Sequence, residues 1–231
     1  MHTLSHYRLC PHSRSIRLVL AEVEIAADLE EVMPWQMDAA FLSMNPAAEL
    51  PVLQVVNGPI LCGTYAISEF VADELKRHPV DGLSVLLFPG NREERAEVRR
   101  LVDWSHGKLH REVTAELLQE KVHARLKPGV PAPPNPGVLR AIRANLKYHM
   151  SYFGYLAHGR KWLAGEDMSF ADLSAAAHLS VIDYLGEVPW DDYPVTRAWY
   201  ARLKSRRSFR GLLSERIPGF APAQHYADLD F

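Results

Sequence analysis

Apolar residues in the first third of the chain come in short runs separated by helical stripes. Thr3 to Tyr7 and Asp28 to Met33 read as two short strands. Pro51 opens a third, Val- and Leu-rich run, where its missing N–H costs no ladder bond. Asn57-Gly58 predicts a two-residue hairpin turn into a fourth strand. Between these runs the period lengthens. Ile16, Leu20 and Val23 share a helical face behind Pro11, and residues 37 to 44 make a short helix stopped by Asn45-Pro46. Thr64 stands where an N-cap is wanted, ahead of Ile67, Phe70, Val71 and Leu75. The predicted order over residues 1–78 is β-α-β-α-β-β-α.

Residues 79–90, from Pro79 to Gly90, read as a linker, and residues 91–217 as all helical. A long amphipathic stretch turns Val98, Leu101, Val102, Leu109, Val113 and Leu117 inward and leaves Arg92, Glu93, Glu94, Arg95 and Glu97 outside. The proline-rich run from Pro128 to Pro136 cannot continue a helix and predicts an extended loop. A second helix follows with Leu139, Ile142, Leu146, Phe153 and Leu156. Ser169-Phe170-Ala171-Asp172 is a capping box with Asp in place of the commoner Glu, stapled by Met168 and Leu173. Its helix carries Phe170, Leu173, Ala177, Val181 and Tyr184 on its apolar face. Two short helices, about Pro194 to Leu203 and Phe209 to Leu213, precede a tail over 218–231. That tail is apolar and acidic rather than polar, so it predicts packing on the body or docking to a partner.

Composition narrows the class. A chain of 231 residues with 48% hydrophobic and 23% charged residues is ordinary globular material. A net charge of −2 supplies no field for nucleic acid, and two cysteines make no disulfide framework. No apolar run is long enough to span a membrane, and the N-terminus has no signal-peptide pattern, so a cytoplasmic location is expected.

Leu50-Pro51-Val52-Leu53, the hairpin, and the helix start Gly63-Thr64-Tyr65-Ala66-Ile67 resemble the thioredoxin-like domain of the glutathione S-transferase family. The Ser169–Asp172 box resembles the one ahead of the central helix in that family's C-terminal domain. The resemblance implies an α/β N-terminal domain joined to an all-α domain, a cis Pro51, and a glutathione site around Leu50, Pro51, Val52, Gly63 and Thr64. In the family an acid and then a serine open this helix; the acid helps hold the γ-glutamyl ammonium, the serine and helix end its carboxylate. Gly63 takes the acid's place and Thr64 the serine's. A helix N-terminus still attracts an anion, but the ammonium loses its partner.

Cys10 is the leading catalytic candidate, because a thiol at a helix N-terminus feels the positive end of the dipole and its pKa is expected to fall. Cys10-Pro11-His12-Ser13 resembles omega-type transferases and monothiol glutaredoxins, in which the cysteine forms a mixed disulfide with glutathione. Ser13 and Tyr7 are lesser candidates for stabilising a thiolate. His106 and His110 have a ligand spacing but lack the HExxH glutamate and an evident third ligand, so they, with His2, His6 and His12, read as solvated or core residues and no metal is expected.

Gly63, the Pro34-Trp35 segment ahead of Asn45-Pro46-Ala47, the Tyr200–Arg206 segment and the closing tail resemble an alphaproteobacterial FtsZ-binding branch of the family. That resemblance implies a homodimer that binds polymers of the tubulin-like FtsZ, reaches the division site and regulates constriction without needing transferase activity. It implicates Trp35, Asp228 and Leu229 in partner binding. Asp230 and Phe231 join them because the same apolar-acidic segment would bury them too. A docking protein for FtsZ filaments and a glutathione-dependent thiol transferase using Cys10 therefore both stay open. The loss of the acid at Gly63 favours the first.

Overall fold

A four-stranded sheet in the order β2-β1-β3-β4 forms the first unit. The computed structural model describes residues 1–78, 86–126 and 133–229. β1 (His2–His6) pairs in parallel with β2 (Ala27–Glu31) and antiparallel with β3 (Val52–Gln54), and β3 pairs antiparallel with β4 (Ile60–Cys62). α1 (Pro11–Glu22), α2 (Ala39–Met44) and α3 (Thr64–Arg77) complete it in the predicted order. Side chains alternate across a strand. Leu53, with its cross-strand partner Leu4, joins the core under α1 and α3, and its neighbour Val52 packs on the opposite face with Leu50 and Phe41.

Several boundaries move for local reasons. The second strand stops at Glu31, and Pro34–Gln36 coils into a 3-10 turn. α2 starts at Ala39 because Asp38 caps it, accepting from the Phe41 N–H at 3.0 Å. Thr64 is the first residue of α3 rather than its N-cap. The bend out of β4 holds the cap position at φ +85°, a conformation open to Gly63 and strained for side-chain-bearing residues.

The helical unit begins with α4 (Arg92–Asp103), whose capping box joins Asn91 and Glu94. The long amphipathic stretch continues, but not as a plain α-helix. It widens into π turns at Trp104–Thr114 and Gln119–His123, separated by α5 (Ala115–Leu118) and followed by α6 (Ala124–Leu126). The six residues predicted to face inward are all buried. α7 (Pro136–Gly159), α8 (Phe170–Tyr184), α9 (Pro194–Lys204) and α10 (Arg210–Leu213) follow. Linker residues 79–85, residue 127 and residues 128–132 of the proline-rich run lie outside the described residues. Among the described residues no helix is long and apolar enough to cross a membrane.

α8 is the axis, with every residue from Phe170 to Tyr184 buried. Its start is held by the predicted capping box. Asp172 accepts from the Ser169 N–H (3.0 Å), the Leu163 N–H (2.9 Å) and Trp199 Nε1 (2.9 Å), so the cap also ties α9 and the loop after α7 to the axis. Asp172→Ala strands these donors in the core, and we expect a loss of ~3–5 kcal/mol in urea unfolding, against ~1 kcal/mol for Ser169→Ala. Equal losses would mean that the carboxylate is only a cap.

His6, buried at the end of β1, has its pKa lowered to about 4, chiefly by burial and then by the Arg17 charge. Its folded pKa lies below the unfolded one, so the unfolded state takes up the proton first as pH falls. Stability is full above about 6.5 and drains towards pH 4, by at most ~3 kcal/mol. Denaturation midpoints measured over that window should fall less steeply for His6→Phe than for the parent; parallel curves would rule the effect out.

Candidate functional site

A groove of about 680 Å³ opens between the two units. Tyr7 and Cys10 line it from the turn between β1 and α1, Trp35 from the 3-10 turn, and Glu49-Leu50 from the approach to β3. His106, His110 and His123 line it from the long helical segment. The Leu50–Pro51 peptide is cis, and the Gly63 N–H donates to the Pro51 carbonyl at 2.9 Å. Pro51, Val52, Gly63 and Thr64 are not among the residues lining this groove.

Cys10 caps α1, with its Sγ accepting from the Ser13 N–H at 3.5 Å. The expected depression of its pKa does not follow. Burial pushes the thiol up and outweighs the Ser13 side chain and the N–H groups of Ser13 and His12, all of which pull it down. Ser13 is fully buried, and its Oγ accepts from the Tyr7 N–H at 3.3 Å, so it fixes the turn and does not reach the groove. The Tyr7 hydroxyl is buried without a hydrogen-bond partner among the described residues, and burial moves its pKa up to about 12. Trp35 packs edge-on against Tyr7 (5.2 Å, 85°) and lies 5.0 Å from His123, forming an aromatic wall.

The tail divides. Ile217, Phe220 and Tyr226 are buried in the same apolar cluster that Trp35 packs against. Tyr184 anchors them, donating to the Phe220 carbonyl (2.7 Å) and accepting from the Ile217 N–H (3.1 Å). Asp228 and Leu229 stand exposed beyond Tyr226, whereas Asp230 and Phe231 lie outside the described residues. The tail thus packs on the body and still presents an outward tip.

Comparison with known proteins agrees with this architecture. Family models described as "Glutathione S-transferase, N-terminal domain" and "Glutathione S-transferase, C-terminal domain" match residues 9–74 and 118–207. The chain is 42% identical over 233 residues to FtsZ-localized protein A of Caulobacter vibrioides, covering 99% of this chain and 98% of that one. It belongs to the glutathione S-transferase superfamily. A glutathione S-transferase structure from Sinorhizobium meliloti superposes with a TM-score of 0.92 at 41% identity, covering both chains in full. The structure of FzlA from C. crescentus gives 0.91 at 42%, covering 100% of this chain and 99% of that one.

Two residues lining this transferase-fold groove, and one buried beside it, escaped the sequence reading. Glu49 lines the groove directly before the cis-proline pair, a position its sequence neighbours could have flagged. His123 backs Trp35, and His178, a lone imidazole in the small-residue run of α8, meets His106. The two thiols give a test. Burial raises the pKa of both thiols, but Cys62 is exposed and Cys10 half-buried, so alkylation at neutral pH should modify Cys62 first. A faster reaction at Cys10, with an inflection below pH 8, would revive the reactive thiolate.

Proposed function

We propose that this chain is a docking protein for FtsZ polymers at the division site, using the transferase fold as a platform and regulating constriction without requiring transferase activity. The supporting observation is its end-to-end likeness to FtsZ-localized protein A of C. vibrioides, tail included. The geometry agrees with that reading. Trp35 lies on the groove wall, and the Asp228-Leu229 tip projects from a segment locked to the body, so it can bind without first paying for its own ordering. Asp230 and Phe231, next in sequence, join this pair in the proposed contact. As a homodimer the chain would carry two tips and could bridge filaments by avidity.

Removing everything after Phe220 would not test this, because Tyr226 is buried against Arg14 at 3.1 Å. Paired Asp228→Ala and Leu229→Ala substitutions spare that contact. We expect them to cut co-sedimentation with C. vibrioides FtsZ polymers about tenfold while the chain stays folded, and Trp35→Ala to do the same. Full retention by the tip variant would refute the docking role of the tip.

Glutathione-dependent thiol transfer by Cys10 is the second reading, favoured by the groove carboxylate of Glu49, which could take the ammonium that Gly63 no longer meets. Calorimetry with reduced glutathione separates the two. We expect a Kd weaker than ~1 mM; tighter binding, lost in Glu49→Gln, would promote the enzyme.

A further inference from the structure

At one end of the groove α1, the π-turn segment and α8 converge, and each brings a histidine. His12 stacks on His106 (4.6 Å between ring centres, 25°), with His110 edge-on at 4.5 Å. His106 Nδ1 lies 3.1 Å from His178 Nε2. One nitrogen from each of His12, His106 and His178 falls within 4.8 Å of the other two. These residues stand 94 and 72 positions apart in sequence, so only the packing of the two units assembles them.

The surrounding hydroxyls assign the ring protons. Ser15 Oγ donates to the His12 carbonyl at 2.8 Å, which leaves it an acceptor towards His106 Nε2 at 3.3 Å. His106 therefore carries its proton on Nε2, and its Nδ1 lone pair points at His178. At 3.1 Å from that lone pair His178 Nε2 is the donor; moving the His178 proton to Nδ1, where Thr114 Oγ1 at 2.9 Å accepts from it, frees Nε2 as a second lone pair for a metal. A hydroxyl holding the outer nitrogen while the inner one faces its neighbours is the arrangement found behind metal-bound imidazoles. Burial keeps the rings unprotonated at neutral pH, with the pKa of His12 near 4 and those of His106 and His178 well below their usual value. Beside the trio, His110 Nδ1 is buried with no hydrogen-bond partner among the described residues.

We propose that His12, His106 and His178 bind one Zn²⁺ ion, with the fourth coordination position open to the groove. An all-imidazole set suits zinc, nickel or copper rather than magnesium or calcium. Zn–N bonds of about 2.0–2.1 Å set tetrahedral ligand nitrogens about 3.3 Å apart. His106 and His178 already have that spacing, and His12, now stacked on His106 at 25°, must turn its ring and move by up to about 1.5 Å to aim a lone pair at the same point. The ion would join the two units, and its open position would face the cavity that also holds Cys10 and Trp35. This inference is independent of FtsZ docking.

The test uses the full, tag-free chain after chelator treatment. Calorimetry with ZnCl₂ should give one site tighter than ~10 µM. A hundredfold excess over Kd should raise Tm by about 5–10 °C, with no response to Mg²⁺. Co²⁺ should give the intense visible bands of a tetrahedral nitrogen site. His12→Gln, altering the half-buried member of the trio, should abolish both signals, and His2→Gln should abolish neither. No stoichiometric Zn²⁺ binding, octahedral Co²⁺ spectra, or wild-type affinity in a folded His12→Gln variant would each overturn the proposal. If His12→Gln does not fold, the parent's Co²⁺ spectrum decides alone.

Discussion

Arg14 is withdrawn from solvent completely, and four acceptors close around its guanidinium. Nε donates to the Arg8 carbonyl at 2.7 Å, Nη1 to Ser180 Oγ (2.9 Å) and the Tyr226 hydroxyl (3.1 Å), and Nη2 reaches Glu215 at 3.4 Å. Arg17, one turn further on, takes the other oxygen of Glu215 at 2.6 Å. A buried charge that loses a partner costs several kcal/mol, so this cluster tolerates little rearrangement. It joins the first helix of one unit to the axis of the other and to the tail. The position of Cys10 and His12 at the head of α1, and the path of the chain beyond Tyr226, both follow from it.

Burial also sets the character of the groove. The Cys10 thiol and Tyr7 phenol are pushed up and the imidazoles of His12, His106 and His110 down, in every case with desolvation as the largest cause. At neutral pH these polar groups are uncharged. A helix end worth a few tenths of a kcal/mol to about one cannot reverse that at Cys10. The contribution of the groove is therefore shape, aromatic surface and lone pairs more than fixed charge, with Glu49 as the exception at its edge.

The tail shows how packing and presentation coexist in one segment. Lys204, almost wholly buried, donates to the His225 carbonyl at 3.3 Å and lies 3.8 Å from Asp183, which in turn meets Trp190 Nε1 and His225 Nε2, each at 2.8 Å. This network holds the backbone just before Asp228, so the exposed pair starts from a fixed point.

The order of strands and helices was legible because it rests on local signals. These are the Asn57-Gly58 signal, the Ser169–Asp172 box, and apolar spacing that left Val98, Leu101 and Leu109 inside. The Asn57-Gly58 hairpin forms, but with a loop longer than the two residues expected, closed by the Val55 N–H to the Pro59 carbonyl and the Gly58 N–H to the Val55 carbonyl, each at 3.0 Å. The cis proline and the superfamily were readable from short motifs for the same reason. What each group does in its setting was not. The pKa of Cys10 depends on what covers it, and the meeting of His12 with His106 and His178, like the closing of Arg14 on Tyr226, joins residues dozens to hundreds of positions apart. Spacing along a chain reports which face of an element a residue occupies. Which element packs against that face, and how much water it excludes, is settled only when the two units close on each other.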